Sequence, residues 1–263
     1  MTLNKVVDSA AEAVADIPDG ASLAVGGFGL AGIPWILIDA LLEQGASDLT
    51  IVSNNCGVDG AGLGLLLEAR RISRVTASYV GENKEFARQF REGELTVELT
   101  PQGTLAERMR AGGSGIGAFF TPTGVGTLVS EGGLPWRFHP DGEIAMASPP
   151  KEVRTFGGRE MVLEEAIATD YALIRAAVVD KAGNCLFHAG ARNFNPPAAM
   201  AGRITIVEAE QVVEVGELDP DGIHLPGIFV KRIVALTSEQ ASRKDIEKRT
   251  TRPRPIEQQE MTR

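Results

Sequence analysis

Two cysteines in 263 residues, Cys56 and Cys185, are too few for a disulfide framework or a cysteine-built zinc site. That scarcity fits a reducing cytoplasm. Histidine is also scarce: His139, His188 and His224 stand alone, with no metal-ligand spacing around them. His139 sits in His139-Pro140-Asp141-Gly142, a sequence suited to a hairpin turn. Positive charge is in deficit, and the net charge of -9 excludes a general affinity for nucleic acid. The apolar runs, such as the one opening at Trp35, are far too short to span a membrane. No basic start followed by an apolar core marks a signal peptide. A nucleophile elbow, a P-loop and a paired-acid motif are all missing. Cys56 has no histidine near it in sequence, so it reads as a small loop filler rather than a catalytic thiolate. What is present is an ordinary globular composition, 43% hydrophobic and 23% charged, long enough for one large domain or two small ones. Glycine is in excess: 30 residues, roughly 11% against a usual ~7%, and they fall in clusters.

The clusters punctuate an alternating pattern. Apolar residues at helical spacing predict an opening helix over 4–16, closed by Pro18-Asp19-Gly20. A strand over 22–25 leads into a glycine loop, and Pro34 suits the first turn of a helix that runs to Gln44 and stops at Gly45. The unit repeats in kind, though not in sequence: strands over 49–53, 75–80 and 96–100, helices over 63–70 and 84–92. The next helix is expected to start near Thr104, where Thr104-Leu105-Ala106-Glu107 matches a capping box, and to end at Gly112-Gly113. Such alternation predicts an α/β fold, a mostly parallel sheet with helices on both faces. The second half is richer in strands: 147–165 reads as an insertion or hairpin excursion on the sheet edge, with strands over 172–179, 185–188 and 203–207 and a further candidate strand over 211–215. Residues 1–237 are expected to form the domain. Residues 238–263, which include Arg252-Pro253-Arg254-Pro255, read as a mobile tail or a partner-binding extension.

In a parallel α/β sheet ligands bind at the carboxyl ends of the strands. Four successive strands end in Gly26-Gly27-Phe28-Gly29-Leu30-Ala31-Gly32, Asn54-Asn55-Cys56-Gly57-Val58-Asp59-Gly60, Tyr79-Val80-Gly81-Glu82-Asn83 and Thr100-Pro101-Gln102-Gly103. A fifth loop, Pro122-Thr123-Gly124-Val125-Gly126-Thr127, follows Phe119-Phe120, and all five are expected on one edge. Each glycine group either permits a tight strand-to-helix turn or opens a backbone-rich cleft. Gly27, Gly29 and Gly32 satisfy the dinucleotide fingerprint G-x-G-x-x-G, but the next strand ends in Ser53-Asn54-Asn55 without the acid that would hold a ribose. Nicotinamide binding is therefore disfavoured. The neutral amides Asn54, Asn55 and Gln102 can polarise a carbonyl or hold a carboxylate without adding charge; Asn54 and Asn55 can equally cap or turn the chain. No Lys or Arg occurs in the five loops, which counts against a sugar-phosphate isomerase or an effector-binding module.

The glycine loop with its Ile33-Pro34 ending, the Ser53–Asp59 segment and Thr100-Pro101-Gln102-Gly103-Thr104-Leu105-Ala106-Glu107-Arg108 together resemble a known family. So do Ala111-Gly112-Gly113, Phe120-Thr121-Pro122-Thr123-Gly124-Val125-Gly126-Thr127, Ala191-Arg192-Asn193-Phe194-Asn195-Pro196 and Gly216-Glu217-Leu218. The chain is similar, over about residues 3–235, to the A (alpha) subunit of family I 3-oxoacid CoA-transferases of the succinyl-CoA:acetoacetate type. The resemblance implies an α/β/α domain that packs against a homologous B subunit, in a heterodimer or a dimer of heterodimers. It implies ping-pong transfer of CoA through a glutamyl thioester, with coenzyme A thioesters and small carboxylic acids as substrates and no permanently bound cofactor or metal. The nucleophilic glutamate belongs to a Ser-Glu-Asn-Gly-type motif of the B subunit. That motif is missing here, and Glu68, Glu82, Glu107 and Glu165 lack its context, so the chain alone is expected to be inactive. By the same resemblance Gln102, with Gly103, supports the partner's glutamate or the bound carboxylate. Asn54 and Asn55 contribute to the acid pocket, and Gly26, Gly27, Phe28 and Gly29 border it, Phe28 limiting its size. Acetate, butyrate and 3-oxoadipate remain alternatives to acetoacetate as the acid.

Overall fold

The computed structural model describes residues 4–81 and 83–244. In chain order the elements are β1 (Val6–Val7), α1 (Ala10–Val14), β2 (Ser22–Val25), α2 (Trp35–Gln44), β3 (Leu49–Ser53), α3 (Leu63–Glu68), β4 (Ile72–Ala77), α4 (Lys84–Arg91), β5 (Thr96–Leu99) and α5 (Gln102–Gly113). They continue with β6 (Ala118–Thr121), α6 (Leu128–Glu131), β7 (Pro135–Phe138), β8 (Ile144–Ala147), β9 (Val153–Phe156), β10 (Arg159–Glu165), β11 (Thr169–Asp180) and β12 (Cys185–Leu186). The last are α7 (Asn195–Ala201), β13 (Gly202–Val213), β14 (Val230–Ala235) and α8 (Ser238–Ser242).

The main sheet runs β1-β14-β13-β11-β2-β3-β4-β5, every neighbouring pair parallel, with β12 folded back antiparallel on β11. Its strands are apolar on both faces, as a parallel sheet covered twice requires. Alternation sorts them. Leu23, Val25, Ile51, Leu173 and Ile206 face one core with Leu37, Leu41, Leu66 and Phe86 of α2, α3 and α4. Ala24, Val52, Ala172, Ile174 and Val207 face a second core with Leu105 and Met109 of α5, Ala198 of α7 and Phe194 just before it. This is the expected α/β/α arrangement.

Several local expectations are corrected. The opening helix over 4–16 is shorter: Val6 and Val7 pair with Ile233 and Val234, and Ser9 Oγ accepts from Glu12 N at 3.1 Å, which starts the helix only at Ala10. β4 occupies 72–77 rather than 75–80, and the segments 203–207 and 211–215 are one strand, β13. The capping box at Thr104 does not form. Pro101 supplies the non-helical residue, the helix starts at Gln102, and Glu107 pairs with Arg110 instead. The 147–165 hairpin exists, turning at Gly157-Gly158, but belongs to a separate sheet β6-β10-β9 rather than to the main sheet's edge. The fifth loop follows β6 and so is not on the main sheet.

A different hairpin, β7–β8, guards the edge strand β5. Phe138 of the β7–β8 hairpin meets Phe90 with ring centroids 5.1 Å apart, and Arg137 Nε donates to Gly93 O at 2.8 Å. Beneath it, Glu98 on β5 accepts from Arg74 at 3.0 Å and Arg108 at 2.7 Å, and Arg74 lies over the Trp136 ring. Covering an edge removes a template for unwanted strand pairing. Residues 238–242, expected within a tail, form α8 with a capping box at Thr237 and Gln240. Arg175 donates to Ala241 O at 2.7 Å, and Arg243 pairs with Asp39 and stacks over Trp35. Arg252-Pro253-Arg254-Pro255 and Glu82 lie outside the described residues.

Candidate active site at the carboxyl edge of the sheet

The chain builds outward from β2 to β5 and, later, from β11 to β14, so the topology switches between β2 and β11. A crevice outside the carboxyl ends is expected there. Protein fills it. The β2 ladder ends at Val25–Leu173, and Asn195 takes over: its Oδ1 accepts from Arg175 N at 3.1 Å, while Nδ2 donates to Gly32 O at 2.9 Å and Ala191 O at 2.8 Å. Gly26 makes room, since a Cβ there would stand 2.0 Å from Asn195 Oδ1. Gly27 is held against Ile33 in the same way. Both are buried, so their missing side chains serve packing.

The loops after β2 and β3 share one geometry that the amino-acid pattern did not disclose. Phe28 and Ala31 exchange backbone hydrogen bonds at 3.1 and 3.0 Å, and Val58 and Ala61 do the same at 3.2 and 3.1 Å. Gly27-Phe28-Gly29-Leu30-Ala31-Gly32 and Gly57-Val58-Asp59-Gly60-Ala61-Gly62 are thus a short structural repeat that shares an Ala-Gly ending. The two turns pack together through Leu30, Ile33, Trp35, Ala61 and Val58. Phe28 is left outside, 48% exposed.

Helix N-termini are the natural anion sites of such a fold, and most here are already used. Ile36 N and Leu37 N of α2 donate to Glu208 Oε2 at 2.9 and 3.0 Å. Burial pushes the Glu208 carboxyl up to about 7, against the pull of Arg175 and these two amides. A dinucleotide pyrophosphate would need that same helix end, so the glycine fingerprint does not make a dinucleotide site. On α4, Asn83 Oδ1 accepts from Phe86 N at 2.8 Å and Asp59 Oδ1 from Lys84 N at 2.8 Å. α5, like α3 and α7, has no side-chain cap, but its first residues Gln102 and Gly103 are exposed, and a Cβ at Gly103 would meet nothing within 4 Å.

Asn54 and Asn55 are buried, at 2% and 7% exposure. Asn54 Nδ2 donates to Ser78 Oγ at 2.8 Å, and Asn55 Nδ2 lies 3.5 Å from Gly57 O. Cys56 is a buried filler, its thiol pushed up to about 12 by burial and its carbonyl accepting from Asn83 Nδ2 at 3.0 Å. Phe28 and Tyr79, in the loops after β2 and β4, and Leu99, the last residue of β5, are exposed by 48%, 56% and 46%. The other candidates are occupied elsewhere. Glu68 accepts from Gly60 N at 2.6 Å and Glu107 pairs with Arg110, while Glu165 ends β10 in the separate three-stranded sheet, its main-chain carbonyl accepting from Arg108 at 2.7 Å. His224 Nδ1 accepts from Phe187 N at 3.0 Å, His139 closes the β7–β8 turn, and His188 is exposed. No cluster of metal-ligating side chains occurs among the described residues. Two groups, Glu208 and Ser78, were not expected from the sequence, and Asn83 was placed in a candidate loop without the role it has here. Only Asn83 left a signal, as an N-cap residue just before a helical run.

This edge gathers neutral amides and an uncapped, exposed helix start. It presents no nucleophile of its own among the described residues.

A family model for coenzyme A transferases matches residues 7–236. The chain belongs to the coenzyme A transferase family. Among its relatives, a Mycobacterium tuberculosis protein, the A chain of a probable succinyl-CoA:3-ketoacid coenzyme A transferase, is 60% identical over 250 residues, 95% of this chain and 100% of that protein. The Bacillus subtilis protein of the same name is 55% identical, covering 94% of this chain and 95% of its own. An acyl-CoA transferase of Escherichia coli O157:H7, solved as a thioester complex with CoA, superposes with a TM-score of 0.74 at 25% identity. That match covers 90% of this chain but 48% of the solved one, so this chain spans about half its length.

Proposed function

We propose that this chain is the A-type half of a succinyl-CoA:3-ketoacid CoA-transferase and supplies part of an active site that a B-type partner completes. The observation that carries the reading is the uncapped N-terminus of α5, with Gln102 and Gly103 exposed at the sheet edge that also carries the buried Asn54 and Asn55, and with no carboxylate poised to attack among the described residues. In this reading the partner's glutamate carboxylate attacks the succinyl-CoA carbonyl and expels the CoA thiolate, leaving an acyl-glutamyl anhydride. The thiolate then attacks the glutamyl carbonyl of that anhydride and releases succinate, which leaves glutamyl-CoA. Acetoacetate repeats the two displacements in reverse and departs as acetoacetyl-CoA, restoring the glutamate.

Each displacement passes through a tetrahedral adduct that places negative charge on the carbonyl oxygen under attack. The α5 amides and the Gln102 side chain stabilise such charge without protonating the nucleophile. A lysine there would hold the glutamate as a salt bridge and blunt its attack. Phe28, Tyr79 and Leu99 form an apolar border that the partner covers, which excludes water from the anhydride. Phe28 limits the length of the acid, and Asn54 and Asn55 orient it.

The test is reconstitution. This chain alone shows no transfer; mixed with a partner containing a Ser-Glu-Asn-Gly-type loop it moves CoA from succinyl-CoA to acetoacetate. Substituting Gln102→Ala in the assembled complex lowers kcat by roughly 10- to 100-fold, the scale of losing one preorganised donor or a little less. Transfer by this chain alone would overturn the half-site reading. Activity of the complex with acetate, butyrate or 3-oxoadipate but not acetoacetate would overturn the choice of acid.

A further inference from the structure

Asn54 is enclosed, yet only part of its amide is engaged by protein. Nδ2 donates to Ser78 Oγ at 2.8 Å. Ser78 Oγ in turn donates to the main-chain oxygen of the same residue at 3.1 Å. That oxygen also accepts from Ser78 N and Tyr79 N, each at 3.1 Å. The loop after β4 is therefore clasped to the loop after β3 at a single residue, in both directions. A serine hydroxyl has one proton; with that proton on the Asn54 carbonyl, Oγ offers only lone pairs to the Asn54 side chain. The clasp consequently selects the NH2 end of the amide for Ser78 and turns Oδ1 the other way. No protein group among the described residues pairs with that Oδ1.

We infer that Ser78 is a positioning residue for the transfer reaction: it fixes which end of the Asn54 amide meets the substrate. Without the hydroxyl, a half-turn about Cβ–Cγ exchanges donor and acceptor at the same place, and the site loses its preference between an anionic oxygen and an N–H of the substrate. Ser78 does not touch substrate itself; it acts through Asn54. The inference rests on the proposed function, in which Asn54 orients the substrate.

The experiment is a double-mutant cycle in the assembled two-chain complex, with kcat and KM measured for succinyl-CoA and acetoacetate. Ser78→Ala lowers kcat/KM about tenfold, the scale of one hydrogen bond lost. Asn54→Ala lowers it at least as much, and the double variant is no worse than Asn54→Ala alone. Ser78→Thr, which keeps the hydroxyl, restores the rate. Ser78 is half-buried at a loop, so thermal melts of the isolated chain show whether folding has changed. Full additivity of the two alanine variants, wild-type kinetics for Ser78→Ala, or failure of Ser78→Thr to rescue would overturn the positioning role. Wild-type kinetics for Asn54→Ala would instead overturn the placement of Asn54 in the site, and the role of Ser78 with it.

Discussion

At Cys56 and Cys185 burial decides the chemistry, pushing both thiols up to about 12. Ellman's reagent at pH 8 is expected to label neither in the native chain and both after denaturation; rapid native labelling of one would contradict this packing. Glu98 shows the opposite balance. Burial raises its carboxyl, but Arg108 and Arg74 hold it below the usual carboxylate range. Its folded value is thus lower than its unfolded one, so its stabilisation is complete above the unfolded value and is lost as pH falls through the folded one. Glu98→Gln is expected to cost roughly 2–4 kcal/mol at pH 7 by leaving two guanidinium groups short of a partner. The melting-temperature gap to wild type should begin to narrow below about pH 4 and close once the folded carboxyl is protonated; a constant gap on acidification would show that the loss is steric. Single residues were unequally legible. Gln102 stood out because an amide between proline and glycine at a strand end has little structural purpose. Glu208 left no trace, since its partners are backbone amides of a helix some 170 positions away in sequence.

Helices and strands follow the same division. The strands β2 and β3 were readable because buried parallel strands are short apolar runs bounded by turn residues. The first helix was misread because Val6 and Val7 fit a helical period equally well, and only pairing with β14 makes them strand. The start of α5 was misread because Pro101 ends the extended segment before Thr104 can cap; Thr104 Oγ1 is instead buried without a partner. Two glycines now separate packing from function. Gly26→Ala drives a methyl into Asn195 and is expected to destabilise the chain by roughly 2–4 kcal/mol, through overpacking and lost hydrogen bonds. Gly103→Ala meets open space on a helix and is expected to leave the melting temperature unchanged or slightly higher. In the reconstituted complex the same methyl crowds the open end of α5, so transfer should fall at least tenfold. Full activity of Gly103→Ala would mean that nothing approaches α5 there.

For the molecule as a whole, the later half of the sheet is closed by residues from the far end of the chain. Arg175 is buried on β11 between Glu208 and Glu210, and its remaining donors reach the Ala241 and Arg243 carbonyls, the latter at 3.5 Å. Arg243 crosses to α2, where it pairs with Asp39 and lies 5.1 Å from the Trp35 ring centroid. Trp35 belongs to the small cluster beneath the two glycine turns. The segment 238–244 thus ties the strand that carries Arg175 to the helix that supports the site loops. Polar composition alone reads this segment as tail; its anchoring comes from a buried guanidinium with more donors than two carboxylates use. A chain ending at Thr237 loses the charged hydrogen bond to Ala241, the Arg243–Asp39 pair and the cation–π contact. It should melt roughly 5–10 °C lower. Arg243→Ala keeps the Ala241 contact and should lose less than half as much. If both variants melt with the full chain, α8 contributes nothing to the fold; if both lose equally, the anchoring belongs to Arg243 and not to the helix. With α8 gone, Trp35 is uncovered next to the Phe28 turn, so the truncated chain should also reconstitute transfer with a raised KM for the acid while the cooperativity of its melt is retained.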